Sequence, residues 1–166
     1  MSSRLLKTVV GLLLVLAVVG WDQGTKHAAR KGLAGKPPVL LVDRVLVLRY
    51  VENEGAFLSL GAQLPRPVRR VAFIAFPLIV LAGMVVYLLR KGGIPWSTLV
   101  GFSLIVGGGA GNLFDRLLHD GRVGDFIMIG VGGLRTGIFN FADLTVLAGC
   151  VVLLFSPSAK KSRPVS

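Results

Sequence analysis

Long apolar stretches separated by short polar segments run through the whole chain. Four of these stretches stand out, at about residues 5–21, 71–89, 94–114 and 138–155. At a rise of about 1.5 Å per residue, helices of this length cross, or almost cross, the roughly 30 Å hydrocarbon layer of a bilayer. The pattern therefore predicts four transmembrane helices in a single integral membrane domain covering residues 1–166, with outer loops at 22–70 and 115–137.

The first apolar stretch has a second interpretation. Arg4 and Lys7 precede it, and it ends in the small residues Val19 and Gly20, as a cleavable signal peptide would. Three further spans already commit the chain to the membrane, so a first transmembrane helix is the preferred reading.

The two outer loops contain strand-like patterns. Residues 39–55, "VLLVDRVLVLRYVENEG", are rich in Val and Leu around Asp43-Arg44, which indicates a hairpin. Residues 125–141, "DFIMIGVGGLRTGIFNF", suggest two short strands around a Gly-rich turn. Residues 55–64, "GAFLSLGAQL", suggest a short interfacial helix. The expected fold is an all-α membrane bundle of four transmembrane helices with a small extracytoplasmic β-hairpin cap.

The distribution of basic residues adds a prediction of how the chain is oriented in the membrane. The chain has 19 Lys and Arg residues against 8 Asp and Glu, a net charge of +11, and a mean hydropathy of +0.73. In a soluble chain such an excess would suggest nucleic acid, but here basic residues at span ends set orientation and contact anionic lipid headgroups. Both termini are expected in the cytoplasm, because one side of the spans carries the basic residues Arg4, Lys7, Arg90, Lys91, Lys160, Lys161 and Arg163. Arg69 and Arg70, beside a span on the other side, run against this rule.

The acidic residues all fall on the opposite, outer side. They are Asp22, Asp43, Glu52, Glu54, Asp115, Asp120, Asp125 and Asp143. Four of them are at or near span ends, namely Asp22, Asp115, Asp125 and Asp143. This convergence predicts a site at the outer membrane face.

Asp125 and Asp143 are the candidates for catalysis. A carboxylate inside an apolar span is costly unless it has a partner or a function. Asp143 would be explained as a helix-start residue, except that Asn140 is the better cap for that helix. Two neighbouring carboxylates share a proton, so that one activates a water while the other donates to the carbonyl under attack.

The other motifs have plainer interpretations. The run "GGGAGN" at 107–112 lacks the Lys-Ser or Lys-Thr of a phosphate loop, so Gly107 and Gly111 are expected to allow close helix packing. Asn112 needs a polar partner. Asp22 and Lys26 are four residues apart, the spacing of a modest ion pair on a helix. Asp115 and Arg116 follow the third apolar stretch and are consistent with a charge cluster at the level of the lipid headgroups. One cysteine, Cys150, and two isolated histidines provide no metal-binding set.

The motifs together resemble the signal peptidase II family of lipoprotein signal peptidases. The matching stretches, in order, are "DQGTK" at 22–26, "NEGAF" at 53–57, "GGAGNLFDR" at 108–116, "VGDF" at 123–126 and "FNFAD" at 139–143. The resemblance implies an intramembrane aspartic endopeptidase of the bacterial inner membrane. Such an enzyme removes the signal peptide of prolipoproteins just before a cysteine that carries diacylglyceryl.

The resemblance also implies roles for single residues. Asp125 and Asp143 match the catalytic dyad. The positions that match the substrate groove are Asn53, Gly55, Asn112, Arg116 and Asn140. Asp22, Lys26 and Asp115 are expected to support the structure, and for Asp22, Asp115 and Arg116 the sequence leaves open whether they hold the fold or contact the substrate. The expected partners are the lipidated substrate, membrane lipids and substrate-mimicking cyclic peptide antibiotics; no metal, cofactor or nucleic acid is required, and the protein is expected to act as a monomer.

Two other functional classes compete with this reading. In a small transporter or proton-conducting protein, Asp125 and Asp143 would be relay groups, but no acidic residue on the inner side continues the relay. A scaffold subunit held together by Gly-rich helix packing would leave both aspartates unexplained.

Overall fold

The computed structural model describes residues 3–42, 45–56, 60–91 and 93–156. The helices are α1 (Ser3–Leu33), α2 (Arg66–Arg70), α3 (Phe76–Arg90), α4 (Trp96–Leu118) and α5 (Phe141–Leu154), and a π-helical turn, Val71–Ala75, joins α2 to α3. The strands are β1 (Val39–Leu41), β2 (Leu46–Asn53), β3 (Val123–Val131) and β4 (Leu134–Arg135).

Three helical runs are long and apolar enough to cross a membrane among the described residues. They are Ser3–Leu33, Arg66–Arg90 and Trp96–Leu118. The fourth apolar helix, Phe141–Leu154, has 14 residues and is shorter than the predicted span at 138–155. It begins later because Asn140 is its N-cap.

Two helices extend beyond the predicted membrane spans. Helix α1 does not stop at residue 21 but continues to Leu33, shortly before Gly35 adopts a φ of 70°. The polar segment after residue 21 stays helical because its polar face is buried against α4 rather than exposed in a loop. Helix α4 runs to Leu118 rather than 114, so Asp115 and Arg116 lie within the helix and not in an outer loop.

Both predicted hairpins are confirmed, and they join into one sheet. The strand order is β1-β2-β3-β4, with every neighbouring pair antiparallel. The fold is therefore mostly helical with a small antiparallel sheet, rather than all-α with separate hairpins. The turn residues Asp43 and Arg44 are outside the described residues, as are Phe57, Leu58 and Ser59 of the predicted interfacial helix; the remainder of that segment, from Leu60, forms turns.

The β2–β3 pair carries site residues to the end of the sheet nearest the helices. Val51 pairs with Asp125, and Asn53 pairs with Val123. A register shift between Leu48 and Val51 interrupts the ladder on the β2 side. Asn53 and Asp125 are therefore diagonal neighbours on the two paired strands.

Helix α4 is the centre of the bundle because its glycines let other helices approach closely. A Cβ on Gly107 would lie 2.7 Å from Val18 Cβ, and one on Gly111 would lie 2.5 Å from Asp22 Oδ2. A Cβ on Gly108 would lie 2.5 Å from the carbonyl oxygen of Ala142 in α5. The packing role predicted for this glycine run is confirmed.

Candidate active site

The structure brings Asp125 and Asp143 to one cavity. Asp125 comes from β3, and Asp143 comes from the first turn of α5. The cavity measures about 20 Å³, room for about one water molecule. Its walls also include Asn53, Asn112, Arg116 and Asn140, all expected from the sequence.

Amide side chains hold both carboxylates. Asn53 Nδ2 donates to Asp125 Oδ2 at 2.9 Å, and Asn140 Nδ2 donates to Asp125 Oδ1 at 2.7 Å. Asn112 Nδ2 donates to Asp143 Oδ1 at 2.8 Å. Asn140 Nδ2 also donates to Asn112 Oδ1 at 3.1 Å, so one amide links the surroundings of the two aspartates.

Asn140 and Asp143 together cap helix α5. Asn140 Oδ1 accepts from the Asp143 backbone N–H at 3.1 Å, and Asp143 Oδ2 accepts from the Asn140 backbone N–H at 3.1 Å. This reciprocal arrangement is a capping box. The expectation that Asn140 caps the helix is confirmed, but the inference that Asp143 has no capping role was wrong.

Burial separates Asp125 from an ordinary surface aspartate. Its exposed fraction is 3%, and this burial raises the pKa of Asp125 to about 6. The nearby charge of Asp143 acts in the same direction, whereas the hydrogen bonds from Asn53 and Asn140 oppose the shift because they stabilise the ionised carboxylate.

Lys26 occupies the centre of a buried cluster behind the cavity. Its Nζ lies 2.8 Å from Asp22 Oδ2 and 2.9 Å from Asp115 Oδ2, and donates to Asn112 Oδ1 at 2.9 Å. An ammonium group has three protons, so these three contacts use all of them. The Asn112 amide is thereby oriented with its Nδ2 toward Asp143.

This cluster corrects the expectation of a modest surface pair. Asp22 has no exposed surface and Lys26 is 5% exposed. Asp22 Oδ1 accepts from the Ala142 backbone N–H in α5 at 2.9 Å, and Asp115 Oδ2 accepts from the Gly124 backbone N–H at 3.2 Å. The cluster thus connects α1 and α4 to the residues beside both candidate catalytic aspartates.

Gln23 is a site-supporting residue that the sequence reasoning missed. Its Nε2 donates to Asp115 Oδ1 at 2.9 Å, to Asp22 Oδ2 at 3.1 Å and to the Gly111 carbonyl oxygen at 3.2 Å. Its place between Asp22 and Lys26 in "DQGTK" was the available signal, because α1 continues helically through that motif.

Arg116 holds the Asn53–Gly55 turn against α4. Its Nη2 donates to the Gly55 carbonyl oxygen at 2.8 Å, and its guanidinium lies 5.8 Å from the centre of the Phe73 ring. Within the turn, the Gly55 backbone N–H donates to Asn53 Oδ1 at 2.9 Å. These contacts place Arg116 at the wall of the cavity rather than in a headgroup cluster.

A surface ion-pair network closes the outside of the same turn. Glu54 accepts from Arg69 and from Arg122, the latter at 3.2 Å. The hydrogen bond from Arg69 lowers the pKa of Glu54. These cations come from α2 and from the start of β3, so the network joins three separate segments.

The cavity has two carboxylate groups, Asp125 on a strand and Asp143 at the start of a helix, and room for about one water molecule. Among the residues that the structure describes, no group of three or more His, Cys, Asp or Glu side chains is placed to hold a metal ion. Acid–base chemistry at the two aspartates is what these side chains can perform.

The sequence model of the family described as Signal peptidase (SPase) II matches residues 14–157. The chain belongs to the signal peptidase II family. The lipoprotein signal peptidase of Thermodesulfovibrio yellowstonii is 34% identical to this chain, in an alignment that covers 93% of this chain and 97% of that protein. That of Xylella fastidiosa strain M12 is 32% identical, over 86% of this chain and 84% of its own.

Two solved bacterial membrane enzymes share the fold of this signal peptidase II family member. One, determined by the in meso method at 2.3 Å, superposes with a TM-score of 0.77 and 27% identity over 95% of this chain and 94% of its own. The other, at 1.9 Å, gives a TM-score of 0.75 and 25% identity over 87% and 90%. The chain is thus a membrane protein of a peptidase family, as its motifs indicated.

Proposed function

We propose that this protein is an aspartic lipoprotein signal peptidase that hydrolyses the bond just before the lipidated cysteine of prolipoproteins. The observation that carries the proposal is the cavity of about 20 Å³ onto which Asp125 and Asp143 both open. Membership of the signal peptidase II family supplies the substrate class.

The two aspartates take different roles. Burial raises the pKa of Asp125 to about 6, which favours a proton on this carboxyl group. Asp143 is at the third position of α5, where its two carboxylate oxygens accept hydrogen bonds from Asn112 Nδ2 and from the Asn140 backbone N–H. Asp125 is therefore the general acid, and Asp143 is the general base.

Hydrolysis then follows in two balanced steps. Asp143 accepts a proton from water as the water oxygen bonds to the scissile carbonyl carbon, and Asp125 gives its proton to the carbonyl oxygen, which yields a diol. In the second step Asp143 returns its proton to the leaving nitrogen and the C–N bond breaks, while Asp125 recovers a proton from a diol hydroxyl. Both carboxyl groups end in their starting forms.

The amide side chains position these groups and the substrate. Asn112 and Asn140 fix the aspartates through the hydrogen bonds already described, and Asn53 and Ala56, on either side of Gly55, line the cavity. Arg116 keeps that turn in place. These residues, Asn53, Gly55, Asn112, Arg116 and Asn140, form the proposed groove for the substrate backbone.

The proposed membrane arrangement has four spans, with α5 completing the set despite its 14 residues. The sheet covers the outer mouth, both termini face the cytoplasm, and the aspartates lie near the outer leaflet of the bacterial inner membrane. The signal helix enters sideways from the lipid. Cyclic peptides that mimic the bound substrate would occupy the same groove, and a single copy is sufficient for activity.

Cleavage of a lipidated prolipoprotein by the purified protein in detergent tests the mechanism. We expect Asp125→Asn and Asp143→Asn to fold with wild-type helix content by circular dichroism and to give no product on a gel. Asp120→Asn is the matched control, because Asp120 is an exposed aspartate whose side chain is 62% accessible. It should cleave at the wild-type rate.

Cleavage by either dyad variant at the wild-type rate would overturn the aspartic mechanism. A substrate without the diacylglyceryl group tests the substrate class separately. Equal cleavage of both substrates by the wild type would remove the requirement for the lipid while leaving the dyad in place.

A further inference from the structure

A second cavity lies at the end of the bundle farthest from the two aspartates. It is lined by the first half of α1, the end of α3 and the first half of α4, and it measures about 330 Å³. Native protein interiors contain few voids larger than a water molecule, and ligand pockets begin at about 300 Å³. This cavity, which we call the basal cavity, is therefore large enough for a ligand.

The deep wall of the basal cavity is apolar. Leu99, Ile94 and Val106 line it and are each less than a tenth exposed. Leu12 and Leu89 also line it but are at least half exposed on the outer surface of two apolar helices that we propose to face lipid. The cavity is therefore open to the acyl-chain region of a bilayer, and its wall suits a hydrocarbon chain.

The mouth of the basal cavity is cationic. Arg4, Lys7 and Lys91 line it, and none of the three has a carboxylate within ion-pair distance among the described residues. The segments that form the cavity, 3–21 and 76–108, contain no Asp or Glu at all. Within the described part of the chain, these three charges therefore have no acidic partner.

Their present contacts orient these cations at the mouth without neutralising them. Arg4 Nη2 donates to the Leu89 carbonyl oxygen at 2.6 Å, and Lys7 Nζ donates to the Ile94 carbonyl oxygen at 2.6 Å. Both acceptors are uncharged, so an anion can still be bound beside them.

A buried hydroxyl group without a partner is a second indication that the cavity binds a ligand. Ser103 lines it with no exposed surface, and its Oγ has no hydrogen-bond partner among the described residues. Buried polar side chains are usually satisfied, and an unsatisfied one calls for a specific explanation.

We propose that the basal cavity binds one anionic phospholipid of the adjacent leaflet. Its acyl chain lies along Leu99 and Val106, and its phosphate group is bound by Arg4, Lys7 and Lys91. Cationic pockets between transmembrane helices recognise anionic lipid headgroups in this way.

Native mass spectrometry of the purified full-length protein with added lipid tests this proposal. Phosphatidylglycerol should bind in a 1:1 complex, and phosphatidylcholine with the same acyl chains should bind about tenfold or more weakly. Inorganic phosphate at equal concentration should not displace the lipid, because it has no acyl chain.

Two variants separate the headgroup contact from the acyl contact. Arg4→Gln with Lys7→Gln should weaken phosphatidylglycerol binding about tenfold or more, whereas the matched double variant Lys31→Gln with Lys36→Gln at the other end of the bundle should not. Val85→Trp, at the cavity wall, should abolish binding while keeping every charge. Circular dichroism and thermal unfolding check that each variant is folded.

Three results would overturn the proposal. Equal binding of the two lipids would remove the anionic selectivity. Unchanged binding in Val85→Trp would mean that lipid adsorbs on the basic surface and not in the cavity. Full displacement by inorganic phosphate would mean an anion site without a lipid. Each is independent of peptidase activity.

Discussion

We expect cleavage to fall steeply as the pH rises from 6 to 8. The proposed mechanism requires a proton on Asp125, whose pKa is raised to about 6 by burial. An acid with that pKa is about half protonated at pH 6 and about one hundredth protonated at pH 8, so kcat/KM should fall about fiftyfold. An aspartate at its usual pKa would be almost fully ionised across this whole range.

A variant that changes the pKa of Asp125 provides a second test of this prediction. Asn53 donates a hydrogen bond to Asp125 Oδ2, and this bond lowers the pKa of the carboxyl group by stabilising its ionised form. In Asn53→Ala the alkaline limb should therefore move to higher pH.

The assay is the initial rate of prolipoprotein cleavage at substrate concentrations well below KM, between pH 5 and pH 9. Helix content and thermal unfolding at each pH show that the protein stays folded. The two aspartates interact, so the limb reports an apparent pKa of the pair. A flat profile between pH 6 and pH 8, or a limb that moves to lower pH in Asn53→Ala, would refute the assignment of Asp125 as the acid.

Two further predictions concern stability, measured by thermal or denaturant unfolding in detergent. Lys26→Met leaves two buried carboxylates without their cation and should destabilise the fold by about 3–5 kcal/mol. Arg70→Met, in an exposed pair at 3.7 Å, should cost less than about 1 kcal/mol; equal losses in both variants would contradict the structural role of the buried cluster. Gly108→Ala places a methyl group 2.5 Å from a carbonyl oxygen of α5 and should cost about 1–3 kcal/mol or more. Gly83→Ala meets nothing within 4 Å and should be neutral or stabilising, so a similar loss at both glycines would argue against close α4–α5 packing.

Local patterns were sufficient to predict the apolar helices, both hairpins and the glycine packing run. Apolar runs and turn residues act over a few neighbours, so they can be interpreted along the sequence. The end of α1 could not be predicted in this way. Its polar continuation is helical because Lys26 and Asp22 are buried against α4, a contact between residues about 90 positions apart.

The sequence was sufficient to predict which residues form the candidate site, but not which hydrogen bonds they make. That Asp125 and Asp143 would share a cavity was a prediction from the motifs, and the structure places both on its wall. That Asn140 would serve the α5 cap and Asp125 at once was not predictable, because it depends on how β3 lies against α5. The hydrogen bond between Asp22 and the Ala142 backbone N–H, across 120 positions, is another contact without a local signal.

The size of the cavity between the aspartates has a consequence for inhibition. With room for about one water, it does not hold a whole peptide group, so we expect the Asn53–Gly55 turn or a neighbouring wall to move as a backbone enters. The measured affinity of any competitive ligand then combines the strength of its contacts with the population of the opened form. A compound that tightens binding without new contacts would do so by favouring that form, and a substitution of Glu54 that loosens the turn would increase apparent affinity without touching the cavity wall.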